Sequence, residues 1–220
     1  MGHSETLRRS DGERVSMSFY TERVFPRLCD RAMRNRHLAP YRRRVIGAAE
    51  GRVLEIGSGS GLNLPFYGGR VREVFALEPG ARMIGLARRK SRMGTVPVMF
   101  IEASAEQIPL ERGSVDTVVM TWTLCSIPHA PEALAEMRRV LRPAGRLVFV
   151  EHGASPDPRV RRWQDRLTPA WQGLSGGCHL NRPIRALIET SGFAIEQIAT
   201  GYMPGPKPLT FMSEGCARPL

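Results

Sequence analysis

The chain has 220 residues, 42% of them apolar and 24% charged, and a formal net charge of +11. This is ordinary globular usage with length for one well-buried core, which excludes a disordered tail protein and a fibrous one. No stretch approaches the roughly 18 apolar residues that cross a bilayer. The first twenty residues carry acids and arginines where a secretory leader needs an apolar run, so a cytoplasmic protein is expected. Cys29, Cys125, Cys178 and Cys216 lie far apart with no C-x-x-C pair, so neither a metal site nor a disulfide framework is predicted. The cations are almost all arginine, with lysine only at Lys90 and Lys207, and no basic tract is interleaved with aromatics. The charge is therefore read as an arginine-rich codon bias rather than a nucleic-acid surface.

In chain order, Phe19, Tyr20, Val24, Phe25, Leu28 and Met33 follow near-helical spacing, which predicts an amphipathic helix entered or interrupted at Pro26. A second helix is predicted from Pro40 to Ala49, stopping at Gly51. Strand and helix signals then alternate. Val53–Ile56, Val71–Leu77, Val96–Ile101, Val115–Met120 and Arg146–Val150 read as strands, with helices at Ala81–Arg89 and Pro131–Leu141 between them. Buried strands separated by helices imply a mostly parallel sheet with right-handed crossovers. From Ser155 to about Pro183 the chain is rich in Trp, Pro and Gly and carries no strand signal, so a cap inserted after the fifth strand is expected. Ala186–Thr190 with Gly192 reads as a helix end, followed by strands at Phe193–Ala199 and Leu209–Met212.

The strongest signal is Val53-Leu54-Glu55-Ile56-Gly57-Ser58-Gly59-Ser60-Gly61, a buried strand ending in alternating glycines. Glycine tolerates positive φ and has no Cβ, so the backbone of such a turn can pass close to a ligand. A dinucleotide fingerprint from Gly57 needs Gly or Ala at the position of Leu62, and one from Gly59 needs it at Leu64. No Gly-Lys-Ser/Thr follows, so the P-loop is excluded as well. The second strand ends in Glu78-Pro79, which puts a carboxylate beside the glycine turn, where ligands of open α/β sheets bind.

The pattern E-x-G-x-G-x-G resembles the first motif of class I S-adenosylmethionine-dependent methyltransferases. That resemblance implies a Rossmann-like α/β fold with helices on both faces of the sheet. Residues 1–220 would form one domain: an N-terminal helical lid (1–50), a cofactor core (51–152), and a cap with a C-terminal helix and hairpin (153–220). It implies S-adenosyl-L-methionine as cofactor, with Glu55 on its amino group and Gly57, Ser58, Gly59 and Gly61 along its methionine part. Met83 would lie near the adenine, Ser104, Ala105 and Glu106 would follow its edge, and Thr121 would close the site after the fourth strand. Many relatives carry Asp where this chain has Ser104. Tyr20, on the helix before the first strand, is expected to touch the ligand from the lid.

A narrower resemblance, to the thiol S-methyltransferase-like family, is carried by Thr123-Leu124-Cys125-Ser126-Ile127, Phe149-Val150-Glu151-His152, Trp163-Gln164, Pro169-Ala170-Trp171 and Gly177-Cys178-His179-Leu180-Asn181-Arg182. It implies methyl transfer to the sulfur of a small thiol, with Cys125, Trp163, Trp171, Cys178 and Asn181 as candidate pocket residues. The animal members begin with an apolar membrane-associating segment, whereas this chain begins polar, so no transmembrane segment is expected and only a peripheral membrane contact stays open. His152, at the end of the fifth strand with an ordinary pKa of about 6.5, is the candidate base. The alternatives are a lipid amine, a quinone-like carbon or oxygen, or RNA as acceptor, and a cofactor-binding protein without catalysis.

Overall fold

The computed structural model describes residues 24–92 and 94–220. Phe19 and Tyr20, and with them the first part of the expected lid, lie outside the described residues. Two short helices, α1 (Phe25–Met33) and α2 (Ala39–Gly47), lead into the sheet, each with proline in its first turn, where the missing N–H costs nothing. The strands that follow are β1 (Gly51–Ile56), β2 (Val71–Leu77), β3 (Val98–Ile101), β4 (Val115–Thr121) and β5 (Leu141–His152). Helices α3 (Ala81–Ser91) and α4 (Ala130–Val140) cross between them. The chain then runs through α5 (Pro158–Leu174), α6 (Ile184–Thr190), β6 (Phe193–Tyr202), a single turn α7 (Lys207–Thr210) and β7 (Phe211–Pro219).

The seven strands form one sheet in the order β3-β2-β1-β4-β5-β7-β6. β1 to β5 pair in parallel, and β7 enters antiparallel between β5 and β6. Alternate residues feed two cores. Leu54, Ile56, Leu77, Met120 and Phe149 pack with α4 and α6 on one face. Val53, Val74, Ala76, Val119 and Val148 pack with α2 and Tyr67 on the other. Burial on both faces explains why the central strands read as continuous apolar runs.

Three expectations need correction. The Ser155–Pro183 stretch contains a 17-residue helix, α5, whose start is capped by Asp157 accepting from the Arg159 amide at 2.8 Å. Pro169 inside it disguised its period, since proline normally breaks a helix interior. The residues from Leu209 to Thr210 belong to α7, and the last strand begins at Phe211. β5 begins at Leu141, earlier than expected, because Leu141 pairs with Val115 and Arg146 with Thr117, leaving Arg142–Gly145 bulged outward. Pro143 and Gly145 in that bulge read as a turn in the sequence.

Candidate functional site

β1 and β4 are neighbours from which the strand order runs outward in both directions, and a crevice opens beyond their carboxyl ends, where open α/β sheets bind ligands. The glycine turn lines it. Gly57, Gly59 and Gly61 have φ of +63°, +54° and +76°. A Cβ on Gly57 would run into the Thr123 side chain, and one on Gly61 would stand 3.0 Å from Ala87 of α3. These two glycines permit close packing. A Cβ on Gly59 would meet nothing nearer than Met83 Cε at 3.7 Å, so this glycine keeps free space open.

That space comprises two hollows that share Met83. The smaller, of about 100 Å3, is walled by Gly57, Ser58, Gly59, Arg42, Asn63 and Thr121–Thr123, with Cys29, Asp30 and Met33 of α1 across from them. The larger, of about 550 Å3, is walled by Phe25 and Pro26 of α1 and by Glu78, Pro79, Gly80 and Glu102. Ser58 Oγ is buried and unpartnered on the wall of the smaller hollow. A buried hydroxyl left without a partner beside a glycine that keeps room for an atom fits a bound polar ligand.

The Glu78 carboxylate accepts from the amides of Gly59 and Gly80, both at 3.0 Å. Burial raises its pKa against the pull of those two bonds. Glu55 is fully buried one layer behind the smaller hollow and accepts from Asn63 Nδ2 at 2.8 Å and the Tyr67 hydroxyl at 2.9 Å. Asn63 also donates to Thr121 Oγ1 at 2.9 Å and accepts from Arg42 Nε at 3.0 Å. Burial pushes Glu55 up to about 7, although the bonds from Tyr67 and Asn63 and the Arg42 charge oppose it. Burial likewise brings Arg42 down to about 10, partly offset by Glu55.

Ser104, Ala105 and Glu106 lie outside both hollows. Ser104 Oγ pairs with Glu106, whose other oxygen accepts from the His129 amide just before α4.

Sequence reasoning missed Arg42, Asn63, Tyr67 and Trp122. Trp122 is the one non-glycine residue with positive φ (51°) among the described residues. Such strain is held in place by its surroundings and gathers at functional sites. Here the Trp122 amide donates to Val150 O at 2.8 Å and the Arg42 guanidinium lies 4.8 Å from its ring centre. No local motif marks these residues, because Arg42 sits in an ordinary arginine run and the strain is visible only in φ. α1 is tied to the turn by Asp30, which accepts from Ser60 Oγ, Lys90 Nζ and Arg34 Nε. Burial works to raise the Asp30 pKa, but those bonds prevail and lower it to about 2.

The stretches behind the narrower resemblance meet beyond β4 and β5. His152 Nε2 lies 2.8 Å from Cys178 Sγ, and the ligating atoms of Cys125, His152 and Cys178 are all within 4.8 Å of one another. Burial lowers the His152 pKa, but Cys178 and the Glu151 charge outweigh it and leave it raised. The Cys125 contact and burial push the Cys178 thiol up. Trp163 and Asn181, expected as pocket residues, face elsewhere. Trp163 is 55% exposed with Arg166 over its ring, and Asn181 donates to Asp165. Trp171 is partly buried on α5 with an unpartnered indole N–H, outside both hollows.

This sheet order and crevice define a class I S-adenosylmethionine-dependent methyltransferase. The family model described as a methyltransferase domain matches residues 54–149. Human thiol S-methyltransferase TMT1B is 32% identical over 173 residues, covering 76% of this chain and 69% of that protein. Human thiol S-methyltransferase TMT1A is 33% identical over 146 residues, covering 64% of this chain and 59% of that protein. The solved structure of an S-adenosylmethionine-dependent methyltransferase from Aquifex aeolicus shares the fold at a TM-score of 0.63 and 18% identity, covering 89% of this chain and 98% of that one. The chain belongs to the S-adenosylmethionine-dependent methyltransferases, in the family that includes the thiol S-methyltransferases. No described helix is long and apolar enough to cross a membrane.

Proposed function

We propose that the protein transfers the methyl group of S-adenosylmethionine to the sulfur of a small thiol. The cofactor supplies an electrophilic methyl on a sulfonium. Gly57, Ser58, Gly59 and Thr121 would hold its methionine end in the smaller hollow, with the unpartnered Ser58 hydroxyl donating to it. Arg42 would face its carboxylate, and Glu55 would act on its ammonium through Asn63. Glu78 would take the ribose hydroxyls, while Pro79 and Met83 line the adenosine end. Ser104, Ala105 and Glu106 remain candidates for the adenine edge once a ligand orders that side. α1 covers both hollows and would exclude water, with Tyr20 before it as a further contact.

The observation that carries the acceptor class is the make-up of the smaller hollow's wall, which among the described residues holds Cys29, Asp30 and Arg42 but no histidine. Its ionisable groups stand far from neutrality: Asp30 at about 2, Arg42 at about 10 and Cys29 pushed by burial to about 11. None exchanges a proton readily near pH 7. A thiol with pKa near 8.5 ionises without help, whereas an alkylamine needs a committed base. A thiolate attacking a sulfonium also neutralises charge, which a water-poor site favours. The names of the thiol S-methyltransferase relatives support the same reading. His152 stands against Cys178, which supports a role in holding that thiol rather than in proton transfer.

Methyl transfer to 2-mercaptoethanol, an alkylamine, a phenol, RNA and phosphatidylethanolamine vesicles, followed by mass spectrometry, tests this. The thiol should be methylated at a rate rising toward its own pKa, and His152→Ala should keep that profile's shape. Equal turnover of the amine, or strict dependence on RNA or vesicles, would remove the thiol assignment. A flattened lower limb in His152→Ala would make it the base.

A further inference from the structure

Cys125, His152 and Cys178 form a group whose ligating atoms all lie within 4.8 Å of one another. Its members come from the turn after β4, the end of β5 and the loop after α5. The backbone around Cys125 is pinned from three sides. Glu151 accepts from the Thr123 and Leu124 amides at 2.8 and 3.1 Å. The His179 amide donates to Cys125 O at 2.8 Å. Arg182 donates to the carbonyls of Leu124 and Ile127, at 2.5 and 2.6 Å. The residues that hold Cys125 thus flank His152 and Cys178 in the chain, so the three ligand-bearing segments are fixed to one another.

We propose that Cys125, His152 and Cys178 form a three-ligand site for a zinc-class divalent cation. Two thiolates and an imidazole are the donor set that Zn2+ prefers among common cellular cations, and three protein ligands with one open position is the pattern of reactive rather than purely structural zinc sites. With Zn–S near 2.3 Å and Zn–N near 2.0 Å, tetrahedral ligand atoms stand about 3.5–3.8 Å apart. The observed group lies within 4.8 Å, with the His152–Cys178 pair at 2.8 Å. A modest side-chain spread therefore admits the ion between them. Binding replaces two thiol protons, which pass to solvent, and leaves a neutral Zn2+–dithiolate core beside the Arg182 cation. Among the described residues no other His, Cys, Asp or Glu joins the group, so the fourth position is left for water or a soft donor.

The reduced protein, equilibrated with zinc and passed through a weak chelator, should retain one ion per chain. Cys125→Ser and Cys178→Ser should lower retention at least tenfold while still binding S-adenosylhomocysteine. Cobalt loading should give a thiolate-to-cobalt charge-transfer band in the wild type that Cys178→Ser lacks. Should the variants not fold, alkylation of the wild type gives the answer without them: zinc should protect Cys125 and Cys178 at least tenfold while Cys29 and Cys216 label as before. Wild-type retention no higher than that of Cys178→Ser, or equal labelling with and without zinc, overturns the site and leaves methyl transfer untouched.

Discussion

The two halves of the strand-end face are built in opposite ways. Beside β1 and β2, much of the wall is backbone turn and strand-end carboxylate that lie close together in the sequence, from Gly57 to Met83. Beyond β4 and β5, the side chains of Cys125, His152 and Cys178 are separated by 27 and 26 residues and joined only by folding. The first half is suited to a ligand shared across a large family. The second can vary without disturbing the glycine turn, which is how sites diverge on a common fold.

The largest effect that would break this comparison lies at Gly59. Gly59→Val places a branched side chain at φ +54° in the space between the turn and Met83, so titration calorimetry should show no S-adenosylhomocysteine binding. Gly57→Ala differs in kind, since its Cβ would strike Thr123. It should lower the melting temperature more than Gly59→Ala does. If Gly59→Val binds normally, the turn is structural only.

Glu78→Ala should weaken cofactor binding by about 1.5–3 kcal/mol, as expected for lost bonds to a charged acceptor. Part of that loss comes through the turn, because Glu78 also holds the Gly59 amide. Glu78→Gln should keep some of the geometry and lose less. Unchanged binding by a folded Glu78→Ala would remove the ribose assignment.

This contrast also explains what the sequence disclosed. The glycine turn, Glu78 and the first four strands were legible because each rests on local pattern: a both-faces apolar run, then residues that only a turn tolerates. Arg42 and Asn63 were not, since their importance comes from converging on Glu55 from different segments. α5 was hidden by Pro169, although Asp157-Pro158 was a readable start signal. His152 was found as a residue but not as part of a group, because its partners lie in other segments and no spacing rule joins them.

A smaller effect concerns pH, and both halves contribute. Burial pushes Glu55 and Glu151 up to about 7, against the bonds each accepts. Between the ordinary carboxylate range and about 7, the folded protein keeps protons that the unfolded chain has released, so stability falls as pH rises through that window and levels off above it. A tenfold difference in proton affinity between the folded and unfolded chain is worth roughly 1.4 kcal/mol per group. Urea melts should therefore show a lower midpoint at pH 7.5 than at pH 5, and Glu55→Gln should reduce the difference. A midpoint that rises with pH would contradict the burial of both carboxylates.

The smallest effect tests whether α1 is a lid or ordinary packing. Asp30 joins α1 to Ser60 of the glycine turn and to Lys90 of α3, and its carboxylate and the Lys90 ammonium are 2.9 Å apart and about four-fifths buried. Because its pKa is lowered to about 2, its contribution is present above the ordinary carboxylate value and is lost only as pH falls through about 2. Across the pH range of enzyme assays the tie is therefore constant, and only substitution will probe it. Asp30→Asn keeps the shape and removes the charge, at a cost of about 1 kcal/mol for a pair this shielded. Amide exchange in residues 25–33 should then quicken about fivefold, which is the rate equivalent of that energy for a locally opening segment. Adding S-adenosylhomocysteine should restore much of the protection in both proteins if α1 closes on the ligand, since Cys29, Asp30 and Met33 line the smaller hollow. Exchange that quickens in the variant but ignores the ligand would leave α1 as a packed helix and put the water-excluding cover elsewhere.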